Sequence, residues 1–252
     1  MGADLRGGGA LTERWAPGDA VARVLVVTAH PDDVDFGAAG TVATFTDAGA
    51  EVSYCVVTDG ESGGADPRVP RAEMAEIRRA EQRAAAAEVG VRDVSFLGYP
   101  DGRVVPTLEL RRDLARVVRS VRPDLVVAPS PERWWDRLFS SHPDHLAVGE
   151  AATCAVYPDA RNPFAHPALL EEGYEPHTVS ELWLMAAPTV TVAVDTTATF
   201  ERKIAALSHH RSQIEDLGQV RERLIARAAE TARAAGMPEG TLAEAFRKVL
   251  TA

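Results

Sequence analysis

Arg23-Val24-Leu25-Val26-Val27-Thr28-Ala29-His30-Pro31-Asp32-Asp33 is the stretch from which the rest of the chain is read. Residues 24–28 form a short apolar run rich in valine, the pattern of a strand buried on both faces. A histidine and two carboxylates follow at once, and residues 35–48 read as a helix that stops at Gly49. Titratable groups therefore gather where a strand ends and a helix begins. In open α/β sheets that edge is where ligands bind.

The same pattern recurs downstream. Residues 52–58 read as a strand, ending in the loop Asp59-Gly60-Glu61-Ser62-Gly63-Gly64, and residues 73–89 as a helix stopped by Gly90. Residues 94–97 form a third strand before Gly98-Tyr99-Pro100-Asp101-Gly102, with a helix over 108–121. Residues 125–128 form a fourth, running into the Pro- and Trp-containing loop 129–141. Ser141-His142-Pro143-Asp144-His145 then opens a helix over 146–156. This alternation predicts an α/β fold: a doubly wound, mostly parallel sheet flanked by helices, with every strand-end loop on one rim.

The remainder is less regular. Residues 159–177 are Pro-rich, 182–185 and 190–194 read as a hairpin or edge pair of strands, and 200–213 as a helix. Residues 220–235 and 242–250 predict a helical C-terminal tail over 215–252, and residues 1–20 a loose, Gly-rich lead-in. No long linker divides the 252 residues, so one domain over 1–252 is expected.

Composition narrows the class of partner. A net charge of −10 argues against nucleic acid or an anionic membrane surface and suits a small-molecule ligand. Cys55 and Cys154 cannot build a disulfide framework. The N-terminus lacks the apolar core of a signal peptide, and no run approaches a membrane span, so a cytoplasmic protein is expected.

His30, Asp33 and His145 have the donor chemistry of a catalytic zinc site, which takes three protein ligands and keeps one position open. His30 and Asp33 are three residues apart at a strand-to-helix turn. His142 and His145 are also three apart, and share a face if the helix starts at Pro143. Asp32, beside a ligand, is the natural general base, and His142 the natural oxyanion stabiliser or proton donor. Asp144 reads as a helix-capping carboxylate.

With these motifs in hand, the sequence resembles the PIG-L/LmbE family of metal-dependent N-acetylglucosamine deacetylases. Ala29-His30-Pro31-Asp32-Asp33 and His142-Pro143-Asp144-His145 match its two signature motifs. The likeness runs on through Thr58-Asp59-Gly60-Glu61, Arg78-Arg79-Ala80-Glu81, Leu97 to Gly102, and His210-Arg211-Ser212-Gln213. It implies a Rossmann-like sheet, zinc (or ferrous iron) on His30, Asp33 and His145, Asp32 as base, His142 against the oxyanion, and often a homo-oligomer. Val34 stands where many members carry Glu, a change in the surroundings of the ligands and not in the ligands themselves.

Arg78, by resemblance, is a candidate sugar- or phosphate-binding cation, with an exposed helix Arg paired to Glu81 or Gln82 as the alternative. Asp101 and Glu61 are candidate loop contacts to sugar hydroxyls. Trp134 and Trp135 read as one anchor and one lid residue, with an aromatic sugar platform as the alternative, and His210 divides between a helix-end and a site role. The expected function is removal of an N-acetyl or related N-acyl group from an amino sugar or its conjugate. Amidase action on a thiol-sugar conjugate, deacylation of a natural-product glycoside, and a non-catalytic metal- or sugar-binding role are the alternatives.

Overall fold

The computed structural model describes residues 13–16, 21–64 and 66–252. In chain order it contains β1 (Glu13–Trp15), β2 (Arg23–Thr28), α1 (Asp33–Gly37), α2 (Ala39–Asp47), β3 (Glu51–Thr58), α3 (Arg71–Glu88), β4 (Asp93–Tyr99), α4 (Leu108–Val121) and β5 (Leu125–Pro129). A 3-10 turn at Trp135–Ser140 leads to α5 (Pro143–Cys154), α6 (Pro167–Glu171), β6 (Glu181–Met185), β7 (Val192–Asp195), α7 (Phe200–Leu207), α8 (Leu217–Ala234) and β8 (Ala243–Leu250).

Eight strands form one sheet in the order β1-β7-β8-β6-β5-β2-β3-β4. Every pairing is parallel except those of β8, which runs antiparallel between β6 and β7. The alternation along β2 shows why the sheet needs two layers of helix. Val24 and Val26 join Phe45 of α2 and Ala85 of α3 in one core, while Leu25 and Val27 join Leu114 of α4 and Val148 of α5 in the other.

From β2 the chain steps outward to β3 and β4, then returns to β5 on the opposite flank of β2. The loops leaving β2 and β5 thus diverge to opposite faces and open a crevice at their carboxyl ends. Both histidine motifs lie in that pair of loops.

The expected helix over 35–48 starts earlier, at Asp33, and breaks at Ala38 (φ −145°). A buried ion pair fills the break. Lys203 of α7 donates to the Phe36 carbonyl at the end of α1 (2.8 Å) and pairs with Glu244 of β8. Glu244 in turn accepts from the amides of Gly40 and Thr41 (3.2 and 2.8 Å) at the start of α2. Cation and anion each face the helix end whose dipole they complement.

Three expectations are corrected. Residues 242–250, predicted helical, supply β8, because their backbone groups complete the ladders of β6 and β7. The strands predicted over 182–185 and 190–194 are separated by β8 and do not pair with each other. Within the supposed lead-in, Glu13–Trp15 pairs with β7, while residues 1–12 and 17–20 lie outside the described residues. The irregular stretch 159–177 is held by Arg119, buried, whose guanidinium donates to the carbonyls of Asp159, Ala160, Asn162, Ala165 and Tyr174.

Gly149 sets how closely α5 approaches the end of β5. A Cβ there would stand 2.5 Å from the Pro129 carbonyl oxygen and 2.8 Å from the Pro131 nitrogen, both backbone atoms that cannot swing away. Gly→Ala inside a helix ordinarily stabilises by about 1 kcal/mol. Here Gly149→Ala is expected to destabilise by about 1–3 kcal/mol, lowering Tm by roughly 2–10 °C in a thermal melt. An unchanged or raised Tm would show that the β5–α5 contact is looser than described.

Candidate metal centre and active site

The β2–α1 loop is shaped by Asp33. Its Oδ2 accepts from the amides of Ala29 (3.1 Å) and His30 (2.8 Å), folding the carboxylate back over the strand end. Its Oδ1 lies 3.0 Å from His145 Nε2, and its Oδ2 3.5 Å from His30 Nδ1. His142 occupies the N-cap position of α5, with Pro143 in the first turn and His145 just beyond. The ring centroids of His30, His142 and His145 are 5.0, 5.2 and 5.5 Å apart. Two loops that are 112 residues apart between Asp33 and His145 thus bring three imidazoles and a carboxylate around one space.

His30 is gripped from its other side. Its Nε2 is 3.2 Å from Asp101 Oδ1 and 3.2 Å from Asp144 Oδ2. Asp144, expected as a cap of its own helix, is instead fully buried and accepts from the amides of Gly102 (2.7 Å) and Val104 (3.2 Å). It fastens the loop after β4 against His30. Asp101 accepts from the Ser62 amide (2.9 Å), and its own amide donates to Glu61 (2.9 Å). In this geometry Asp101 and Glu61 lock two rim loops together. A carboxylate on the far nitrogen of a histidine fixes the ring and leaves the near nitrogen, here Nδ1, to face a metal.

The electrostatics test whether a cation suits this donor set. Burial opposes charge on His30, yet hydrogen bonds from Asp101, Asp144 and Asp33 outweigh it and push its pKa up to about 12. Burial likewise opposes ionisation of Asp33, but His145 and His30 hold its carboxyl well below the usual range. His145 is raised by Asp33 against the same burial. The cluster draws protons because it is short of positive charge, and a divalent cation supplies that charge to N and O donors. By proximity of donor atoms, His30, His142 and His145 form one group that could hold an ion, and His30, Asp101 and Asp144 another.

His142 is held differently. Burial, then His30, lower its pKa. Its Nδ1 accepts from the Asp144 amide (3.3 Å), so in the neutral ring the proton sits on Nε2.

Asp32 stands in the left-handed region (φ 91°), where Asp is tolerated better than most side chains. Its amide donates to Gln82 Oε1 (2.8 Å), and its Oδ2 meets Arg78 Nη2 at 3.1 Å. Arg78 also donates to the carbonyls of Pro31 (2.6 Å) and Gly60 (2.8 Å) and is only 4% exposed. The exposed-helix alternative for Arg78 is corrected: its hydrogen bonds hold Asp32 and the loop behind it. Burial, then the neighbouring Asp33, push Asp32 up to about 7, against Arg78 and His210.

Sequence reasoning passed over the layer behind Asp32. Gln82 Nε2 donates to Asp35 Oδ2 (2.9 Å), and His210, fully buried, meets the same oxygen at 2.8 Å. The signal was available in part, since Arg78 and Gln82 are four apart on α3 and share a face. His209, by contrast, pairs with Glu88 (2.9 Å). Trp134 lines the cavity beside the site, and Trp135 is 78% exposed. That cavity, about 1110 Å³, runs from Asp33 and His145 past Trp134 and Phe200 to α8. No helix among the described residues is long and apolar enough to cross a membrane.

Residues 25–156, just over half the chain, match the PIG-L family, described as GlcNAc-PI de-N-acetylase. A diacetylchitobiose deacetylase of Thermococcus kodakarensis is 32% identical over 212 residues, 82% of this chain and 76% of its own. A probable N-acetyl-alpha-D-glucosaminyl L-malate deacetylase 2 of Bacillus cereus is 30% identical, over 76% of this chain and 84% of its own. Among solved structures, N,N'-diacetylchitobiose deacetylase from Pyrococcus horikoshii superposes with a TM-score of 0.85 at 31% identity, covering 93% of this chain and 86% of that one.

Proposed function

This chain belongs to the PIG-L family, and on that premise we propose that it is a metal-dependent hydrolase that removes an N-acetyl group from an amino sugar or amino-sugar conjugate. The observation that carries the reading is the convergence of His30, Asp33 and His145 on one space, with Asp32 and His142 at its edge. We assign His30, Asp33 and His145 as the ligands and zinc or ferrous iron as the ion. Such an ion supplies Lewis-acid polarisation of the amide carbonyl and acidifies water.

The protein side chains do the rest. Asp32 takes a proton from the attacking water, with Arg78 bonded to its carboxylate and Gln82 to its backbone amide. His142 donates its Nε2–H to the carbonyl oxygen as that oxygen gains negative charge. The carbon–nitrogen bond then breaks, the amine leaves with a proton returned from the enzyme, and acetate remains. Asp32, protonated in the first step, holds the proton that balances the reaction.

A substrate panel tests this. Metal-replete protein is offered N-acetylglucosamine, N,N'-diacetylchitobiose, and glycosides and thiol-bearing conjugates of N-acetylglucosamine. Acetate and a free amine, in equal amounts, are expected from at least one. Acetate from none of them would overturn the assignment.

A further inference from the structure

Arg137, Arg223 and Arg227 line the same cavity as Asp33 and His145, and the metal-site chemistry makes no use of them. Among the described residues none of the three has an acidic partner. Arg137 stacks over Trp134 and Phe139, with its carbon at 5.0 and 5.3 Å from the ring centroids. Arg223 donates to Gln219 on its own helix. Among the described residues the Arg227 side chain has no hydrogen bond or ion pair.

The carboxylates that share the cavity do not answer this charge. Glu244 is engaged by Lys203 and by the amides of Gly40 and Thr41. Asp33 belongs to the candidate ligand set. Glu230, one turn along α8 from Arg227, is the single acid left against three guanidinium groups. Arg223 and Arg227 are exposed and Arg137 is half-buried, so a ligand entering the cavity can reach all three.

The geometry points to an anion subsite: Arg137 and Arg227, with Arg223 at the rim, receive a carboxylate or phosphate carried by the amino-sugar substrate. This rests on the deacetylase reading above and names the substrate class within it. A planar guanidinium matches either anion with paired hydrogen bonds, and Trp134 beneath Arg137 offers a face for the sugar between anion and amide.

Three probes decide it: the methyl glycoside of N-acetylglucosamine, its malate glycoside, and N-acetylglucosamine 1-phosphate. One or both charged probes are expected to exceed the neutral one in kcat/KM by about 10-fold or more. Which of them leads separates carboxylate from phosphate. Arg227→Gln, and separately Arg137→Gln, are expected to lower kcat/KM on the charged probe about 10-fold more than on the neutral one. Equal losses on both, or no preference in the parent protein, would overturn the subsite while leaving the deacetylase reading intact. Absence of turnover on every probe would count against the deacetylase reading. Calorimetric binding of the charged probes to parent and Arg227→Gln protein would then still decide the subsite, with equal affinity for the two proteins refuting it.

Discussion

Asp32→Asn is expected to cut acetate release by about 100- to 10,000-fold, with metal content unchanged. The substitution preserves shape. Asn tolerates the left-handed backbone at φ 91° as Asp does, and its carbonyl oxygen can still accept from Arg78 Nη2. What it loses is the ability to take a proton. The ligands His30, Asp33 and His145 are untouched, so binding and chemistry separate cleanly. A protein that only bound metal or sugar would be indifferent to the change. Parent-level turnover in the variant, with metal bound, would move the base elsewhere.

The second large effect concerns the metal itself. Asp33→Ala and His145→Ala are each expected to lose the bound ion on desalting and to drop to background activity, because each removes one of the three proposed ligands. Asp144→Asn is expected to retain it, with affinity weakened about 10- to 100-fold, as when a histidine loses the carboxylate that orients it. Elemental analysis of desalted protein, with circular dichroism to confirm the fold, reads both. The reverse ranking, with Asp144 essential and Asp33 dispensable, would transfer the ion to the His30, Asp101 and Asp144 group.

The contrast between Asp33 and Asp144 also marks how far the sequence could be read. Asp33 announces itself, because it stands three residues after a histidine where a strand gives way to a helix, and a second His-Pro-Asp motif lies downstream. Asp144 looks like a helix cap, and only the approach of Gly102 and Val104 from another loop reveals its work. Arg78 is similar: on an Ala-, Arg- and Glu-rich helix it divides between a substrate contact and an exposed cation, yet the Gly60 carbonyl and Asp32 enclose it.

The fold divides in the same way. The apolar run of β2 and the strand–helix alternation that follows are local patterns, and right-handed crossovers then put the loops that end β2, β3, β4 and β5 on one rim. β8 is composed of Ala, Glu, Arg, Lys and Leu among others, residues with good helix propensity, and becomes a strand because β6 and β7 leave a gap for it. The unanswered arginines of α8 were likewise invisible. A helix rich in Arg and Glu looks internally paired until the cavity beneath it is seen.

The central claim is that an ion held between the β2 and β5 loops is required for amide hydrolysis. The direct measurement is acetate release from the best substrate of the panel, by protein stripped with a chelator and then reloaded stepwise with zinc or, under anaerobic conditions, ferrous iron. Activity is expected to be absent in the stripped protein and to rise to a plateau at about one equivalent per chain. Undiminished turnover by stripped protein would contradict the claim.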